Sequence, residues 1–198
     1  MTVSLEDVKR LKNLTGVGLT DAKKAIEEAK GDFDTALAAM RKKGLTKAEK
    51  RGEREARAGL IGTYNHDNRI GVLVEVNCET DFVARNEIFT GLVKDIAMHV
   101  AASAPQFTSV DDVPEEEKTK IETEFSEKAK ADGKPAEMIE KIVEGMVKKH
   151  FGERCLLQQP YVKNPDITVD QYIKEQIAKL GENIIVRRFA RMQLGEVE

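Results

Sequence analysis

The chain has 198 residues, 40% hydrophobic and 34% charged, which suffices for one ordinary core and a small second unit. Lys and Arg total 32 against 35 Asp and Glu, a formal net charge of -3, so the basic excess of a dedicated nucleic-acid binder is absent. The longest apolar run, around Ile70 to Val76, is too short to cross a bilayer and Met1 leads directly into polar sequence, so a soluble, cytoplasmic protein without a membrane partner is expected.

Residues 4 to 43 read as three short helices. Ser4 caps the first, with Asp7 at the capping-box position and Leu5, Val8, Leu11 and Leu14 at helical spacing, and Thr15-Gly16-Val17-Gly18 stops it. Thr20 caps a second helix carrying Ala22, Ala25, Ile26 and Ala29 and ending at Gly31. Asp32 or Asp34 starts a third carrying Ala36, Leu37 and Met40, with Gly44 as its stop. From Arg41 to Arg57 eight basic residues face three acidic ones with little apolar content, which reads as a solvated linker, or else as a docking stripe for RNA or an acidic partner.

At Leu60 the periodicity changes from helical to alternating. Ile70, Val72, Val74, Val76 and Cys78 alternate with Gly71, Leu73, Glu75 and Asn77, and with Leu60 to Tyr64 they predict a β-hairpin with one dry face. A helix from about Asn86 to Ala102 presents Phe89, Leu92, Val93, Ile96, Ala97 and Val100 inward. Residues 115–151 read as two antiparallel helices around Asp132-Gly133-Lys134-Pro135, an arm projecting from the core. Thr168 caps a helix to Leu180, Gly181 ends it, and Ile184 to Met192 supplies a last strand. The predicted architecture is α+β: a three-helix domain (1–44), a basic linker (45–57), and a core (58–198) of a three-stranded antiparallel sheet with packed helices and the helical hairpin.

Catalytic constellations are not recognisable. The Gly16-Val17-Gly18 turn follows a helix and lacks the third glycine of a dinucleotide loop, and no P-loop occurs. Cys78 and Cys155 have no partner at metal-ligand spacing and read as buried small residues, with a cysteine link across a dimer as the alternative. His99 reads as a core or boundary residue, His150 as the end of a charged helix, and His66 as exposed on the hairpin tip. No cofactor, metal or enzymatic activity is therefore expected. The segment Glu75 to Arg85 is the most informative: Thr80 and Asp81 before a helical run can be a plain helix cap with Phe82 tucked beneath it.

That segment, Glu-Val-Asn-Cys-Glu-Thr-Asp-Phe-Val-Ala-Arg, resembles the core signature of the elongation factor Ts family, and Leu11 to Ile26 resembles its N-terminal signature. Gly62 to Gly71, His99 to Ser103 and Lys179 to Arg188 are also similar to family segments, so the resemblance spans essentially the whole chain. It implies a guanine nucleotide exchange factor that binds elongation factor Tu, disturbs its magnesium and phosphate site, and stays bound until GTP displaces it. It also implies that the N-terminal module is similar to a ubiquitin-associated domain. By the match, Thr80, Asp81, Phe82 and Val83 form the turn pushed toward the magnesium site, with His66, Lys23, Leu180, Gly181, Tyr161 and Val162 as supporting contacts. Lys163 occupies a place that is apolar in some relatives. Long members carry two related core subdomains and this chain one, which implies a homodimer supplying the second copy. Two other classes compete: an adaptor whose three-helix module binds a peptide or ubiquitin-like partner, and an RNA binder using residues 41–57 with Arg187, Arg188 and Arg191.

Overall fold

The computed structural model describes residues 4–133 and 135–196. Ser4 caps α1 (Leu5–Thr15) by accepting from the Asp7 N–H at 3.4 Å. Helix α2 (Leu19–Glu28) starts from Gly18 without a side-chain cap, not from Thr20, because only Val17 and Gly18 separate it from the turn at Gly16. It also stops short of Gly31, where Lys30 and Gly31 both take positive φ. Asp32 caps α3 (Phe33–Glu49) by accepting from the Thr35 N–H at 3.0 Å. Val8, Leu11, Ala22, Ala25, Ile26, Ala36 and Met40 of these three helices bury one another in a small core of their own.

Helix α3 does not stop at Gly44. It continues to Glu49, into the stretch that reads as a linker. A glycine after an apolar stripe usually marks a helix end, but here its missing side chain lets α3 lie on a core helix: a Cβ at Gly44 would stand 3.3 Å from the Ala178 Cβ. Arg41 Nε, 3.4 Å from Glu175 Oε1, and Arg51, whose Nη1 donates to the Ile177 carbonyl at 3.2 Å, flank that contact.

The sheet follows from the alternation. Strand β1 (Ala58–His66) pairs antiparallel with β2 (Ile70–Cys78), which in turn pairs antiparallel with a C-terminal strand, giving the order first, second, last. Val72, Val74, Val76 and Cys78 of β2 are all buried on one face. After β2 come a single helical turn, α4 (Asp81–Ala84), and α5 (Glu87–Ser103), capped by Asn86. Helix α5 buries Phe89, Leu92, Val93, Ile96, Ala97 and Val100, and burial of each large apolar side chain stabilises by roughly 1.5–3 kcal/mol. It can lie this close to β1 because Gly62 has no side chain; a Cβ there would stand 2.4 Å from Val93 Cγ1.

Helices α6 (Glu115–Ala131) and α7 (Ala136–Arg154) form the antiparallel hairpin, although Lys134 of its predicted turn lies outside the described residues. His150 lies within α7, its Nε2 accepting from Arg154 Nη1 at 2.9 Å. A two-stranded ribbon, β3 (Pro160–Tyr161) with β4 (Asn164–Thr168), was not legible because Pro160 and Pro165 argue against strand. Helix α8 (Val169–Leu180) has both halves of a capping box at Thr168 and Gln171, and the left-handed Gly181 closes it before β5 (Ile184–Gln193). Cys78 and Cys155 are both free and buried, so neither thiol is presented at the surface. Burial and the nearby Glu182, Asp81 and Glu79 carboxylates push the Cys78 thiol up to about 11. Among the described residues no helix is long and apolar enough to cross a membrane.

Candidate partner-binding site

The chain leaves the sheet at Cys78 and turns sharply. The Thr80 hydroxyl accepts from the Val83 N–H at 3.4 Å, so it does cap α4. Ala84 is buried and Val83 half-buried against the core, which leaves Asp81 and Phe82 on the outer side of the turn. Phe82 is 90% exposed, so it is not tucked beneath the cap. A side chain of this size forgoes roughly 1.5–3 kcal/mol of burial by standing in water.

The turn is held from below by residues a hundred positions away. Glu182 Oε2 accepts from the Glu79 N–H at 3.1 Å and the Thr80 N–H at 3.0 Å, and the Thr80 hydroxyl donates to Glu182 Oε1 at 2.6 Å. In return the Asn183 N–H donates to Glu79 Oε1 at 2.6 Å, and Arg54 Nη1 lies 3.6 Å from the same oxygen. Asn183, buried, donates its side-chain amide to the carbonyls of Gly52 at 3.2 Å and Arg54 at 2.7 Å. Leu180 and Gly181 therefore adjoin the Thr80 turn through Glu182. The three-helix unit lies at this end as well: a Cβ on Gly16 would stand 2.6 Å from Lys179 Cγ. On that unit Lys23 is exposed and pairs with Glu27 at 3.8 Å.

His66, Tyr161 and Val162 are not part of this cluster. His66 lies beyond the far end of β2 from the Thr80 turn, roughly 26 Å away by strand rise, with Tyr64 Oη 3.4 Å from its Nδ1. Tyr161 is buried: its ring stacks on Tyr172 with centroids 4.2 Å apart, and both hydroxyls donate to Asp95 Oδ2 at 2.9 Å. Only Val162, 43% exposed, offers apolar surface in that segment. Lys163 donates to Asp95 Oδ1 at 2.6 Å. Burial opposes ionisation of Asp95, but the bonds from Lys163, Tyr172 and Tyr161 prevail and hold its carboxyl below the usual range. The Val162 N–H donates to His99 Nδ1 at 3.2 Å, so His99 carries its proton on Nε2 and donates to Gln159 Oε1 at 2.9 Å. Burial, opposed by the bond to Gln159, holds this imidazole below its ordinary value.

The family model described as "Elongation factor TS" matches residues 44–196. Elongation factor Ts of Citrifermentans bemidjiense is 50% identical over 197 residues, covering 99% of this chain and 91% of the relative. That of Geobacter sulfurreducens is 49% identical with the same coverage, and that of Thermodesulfovibrio yellowstonii 48% identical over 198 residues, 100% of this chain and 99% of the relative. The chain belongs to the elongation factor Ts family. It is thus a translation elongation factor, and the first two N-terminal helices, which lie before the residues the family model matches, align with these relatives too.

The structure of this elongation factor Ts family member brings Thr80–Val83 together with Leu180–Gly181, and separates them from His66 and Val162. Glu182 and Asn183, which pin the Thr80 turn, fall inside the family-like segment Lys179 to Arg188, but the sequence reading assigned them no role. No group of three or more His, Cys, Asp or Glu side chains among the described residues is arranged to hold a metal ion. The arginines of β5 are engaged within the fold: Arg187 with Asn77 and the Ala56 carbonyl, Arg188 with Glu75, and Arg191 with Glu196.

Proposed function

We propose that this chain is the guanine nucleotide exchange factor for elongation factor Tu, acting by binding and displacement rather than by chemistry of its own. The observation that carries the reading is the 90% exposed Phe82 on a turn fixed to the sheet end. A large aromatic held in water has the composition and rigidity of an interface anchor. GDP is held tightly with magnesium because the metal neutralises phosphate charge, so a partner that disturbs the metal's surroundings removes much of that stabilisation. Phe82 fills an apolar gap beside the magnesium site and Asp81 engages the polar groups exposed next to it. The factor binds the nucleotide-free state more tightly than the GDP state, and linkage requires that it weaken nucleotide affinity by the same factor. GTP then displaces it.

Lys23 on the three-helix unit and Leu180–Gly181 extend the same contact, while His66 and Val162 belong to a second one at the other end of the core. We also propose a homodimer through the outer face of the sheet. Ile61 (60% exposed), Leu73 (52%) and Met192 (78%) lie there on three neighbouring strands, an apolar patch with no cover in the single chain. Sedimentation equilibrium of the wild type and of Leu73→Glu tests this: a dimer that becomes a monomer supports it, and a wild-type monomer overturns it.

The experiment for the exchange function is release of fluorescent GDP from elongation factor Tu in stopped flow, with the wild type and with Phe82→Ala. Fast release that is lost in the variant supports both function and site. No acceleration by the wild type overturns the exchange reading and favours an adaptor.

A further inference from the structure

We propose that Glu182 is a positioning residue for the exchange turn, setting the direction of Phe82 by gripping the backbone and hydroxyl of Thr80; this rests on the exchange reading above. Strand β2 ends at Cys78, which pairs with Ile184. The next two amides, Glu79 and Thr80, are past the ladder and find their partner in the Glu182 carboxylate, at 3.1 and 3.0 Å. One anionic acceptor satisfying two successive N–H groups makes charge-assisted bonds, stronger than neutral ones.

The third bond gives the carboxylate control over α4. The Thr80 hydroxyl donates to Glu182 Oε1 at 2.6 Å while accepting from the Val83 N–H at 3.4 Å, so Glu182 fixes the rotor of the oxygen that starts the helical turn. Phe82 sits between the two residues so tied, and nothing of its own ring holds it, since it is 90% exposed. Its orientation is inherited from the backbone. Gly181 makes the grip possible: its left-handed φ of 82° closes α8 and turns residue 182 back toward the sheet end. The reciprocal bond from the Asn183 N–H to Glu79 Oε1 at 2.6 Å makes the exchange of carboxylate for amide mutual.

Two variants and two readouts test this. In the free protein, hydrogen exchange at the Glu79 and Thr80 amides should be at least about 10-fold faster in Glu182→Ala than in the wild type, and intermediate in the isosteric Glu182→Gln. In stopped flow, Glu182→Ala should lower kcat/KM for GDP release from elongation factor Tu about 10-fold, since a misplacement of the reacting geometry by about 1 Å can cost as much as 100-fold. Made in the Phe82→Ala background, the same change should add less than about 2-fold, because a residue acting only through Phe82 has nothing left to position. A purely structural role would instead multiply the two losses and lower the melting temperature of both Glu182 variants alike. Unchanged amide exchange, or multiplicative losses, overturns the proposal. If the wild type does not accelerate release, the exchange reading fails, and the amide protection alone then decides whether Glu182 holds the turn.

Discussion

Phe82 and Phe89 are seven residues apart and have opposite fates: one is 90% exposed on α4, the other 0% exposed at the start of α5. On one continuous helix seven residues is about two turns, and both rings would face the same way. The chain avoids this by stopping α4 at Ala84 and restarting at Glu87, with the Asn86 side chain accepting from the Ile88 N–H at 2.8 Å. The break re-aims the second ring into the core and leaves the first outside. Identical side chains thus separate into one that stabilises the fold and one that is free for a partner, and the choice is made by backbone hydrogen bonding, not by hydrophobicity.

The largest effect expected from this contrast is on Phe89. Phe89→Ala should cost about 3–5 kcal/mol of stability in urea unfolding, because it empties a fully enclosed site, and a cost near zero would break the comparison. Phe82→Ala should leave stability within about 0.5 kcal/mol but lose about 2 kcal/mol, roughly 30-fold, in GDP-release efficiency. If it unfolds instead, the ring is holding the fold together after all.

His99 extends the contrast to a buried polar group. Its imidazole is held below its ordinary 6.5 by burial, so the unfolded chain takes up the proton first as pH falls. The stability it contributes is complete above 6.5 and declines as the pH drops below that value toward the folded one. The melting temperature should therefore fall between about pH 7 and about pH 5, and His99→Gln, which can still donate and accept, should flatten that slope. Asp95, also held low, has an ordinary value of 3.8 and titrates beneath this window. The smallest effect is at Lys23, whose surface charge should be worth under about 1 kcal/mol of partner affinity and vanish at high salt.

Elements carried by local chemistry were legible in the sequence. The alternation from Ile70 to Cys78, the caps at Ser4 and Thr168, a third helix start narrowed to Asp32 or Asp34, and the stop at Gly181 each depend on residues within a few positions. Features set by distant partners were not. Gly44 reads as a stop until Ala178 lies against it, and Tyr161, which the resemblance offers as a partner contact, is enclosed by Tyr172 and Asp95. At the site, the family signature marked Thr80 to Val83, but whether Phe82 was packed or presented depended on where the chain bends after Ala84. Glu182 stood inside the family-like segment Lys179 to Arg188, but its role was hidden because its three donors are about a hundred positions away.

The continuous α3 has a mechanical consequence. Its 17 residues, about 25 Å of helix, carry the three-helix unit into the Gly44–Ala178 contact, and Gly16 meets Lys179 near the end of the same α8 that leads into Glu182. The unit bearing Lys23 and the turn bearing Phe82 are thus two prongs of one gauge and not beads on a tether. On the proposed function, a partner engaged by one prong would meet the other at a local concentration fixed by that spacing, and an insertion between residues 50 and 57 would loosen it by pulling the Gly52 and Arg54 carbonyls away from Asn183.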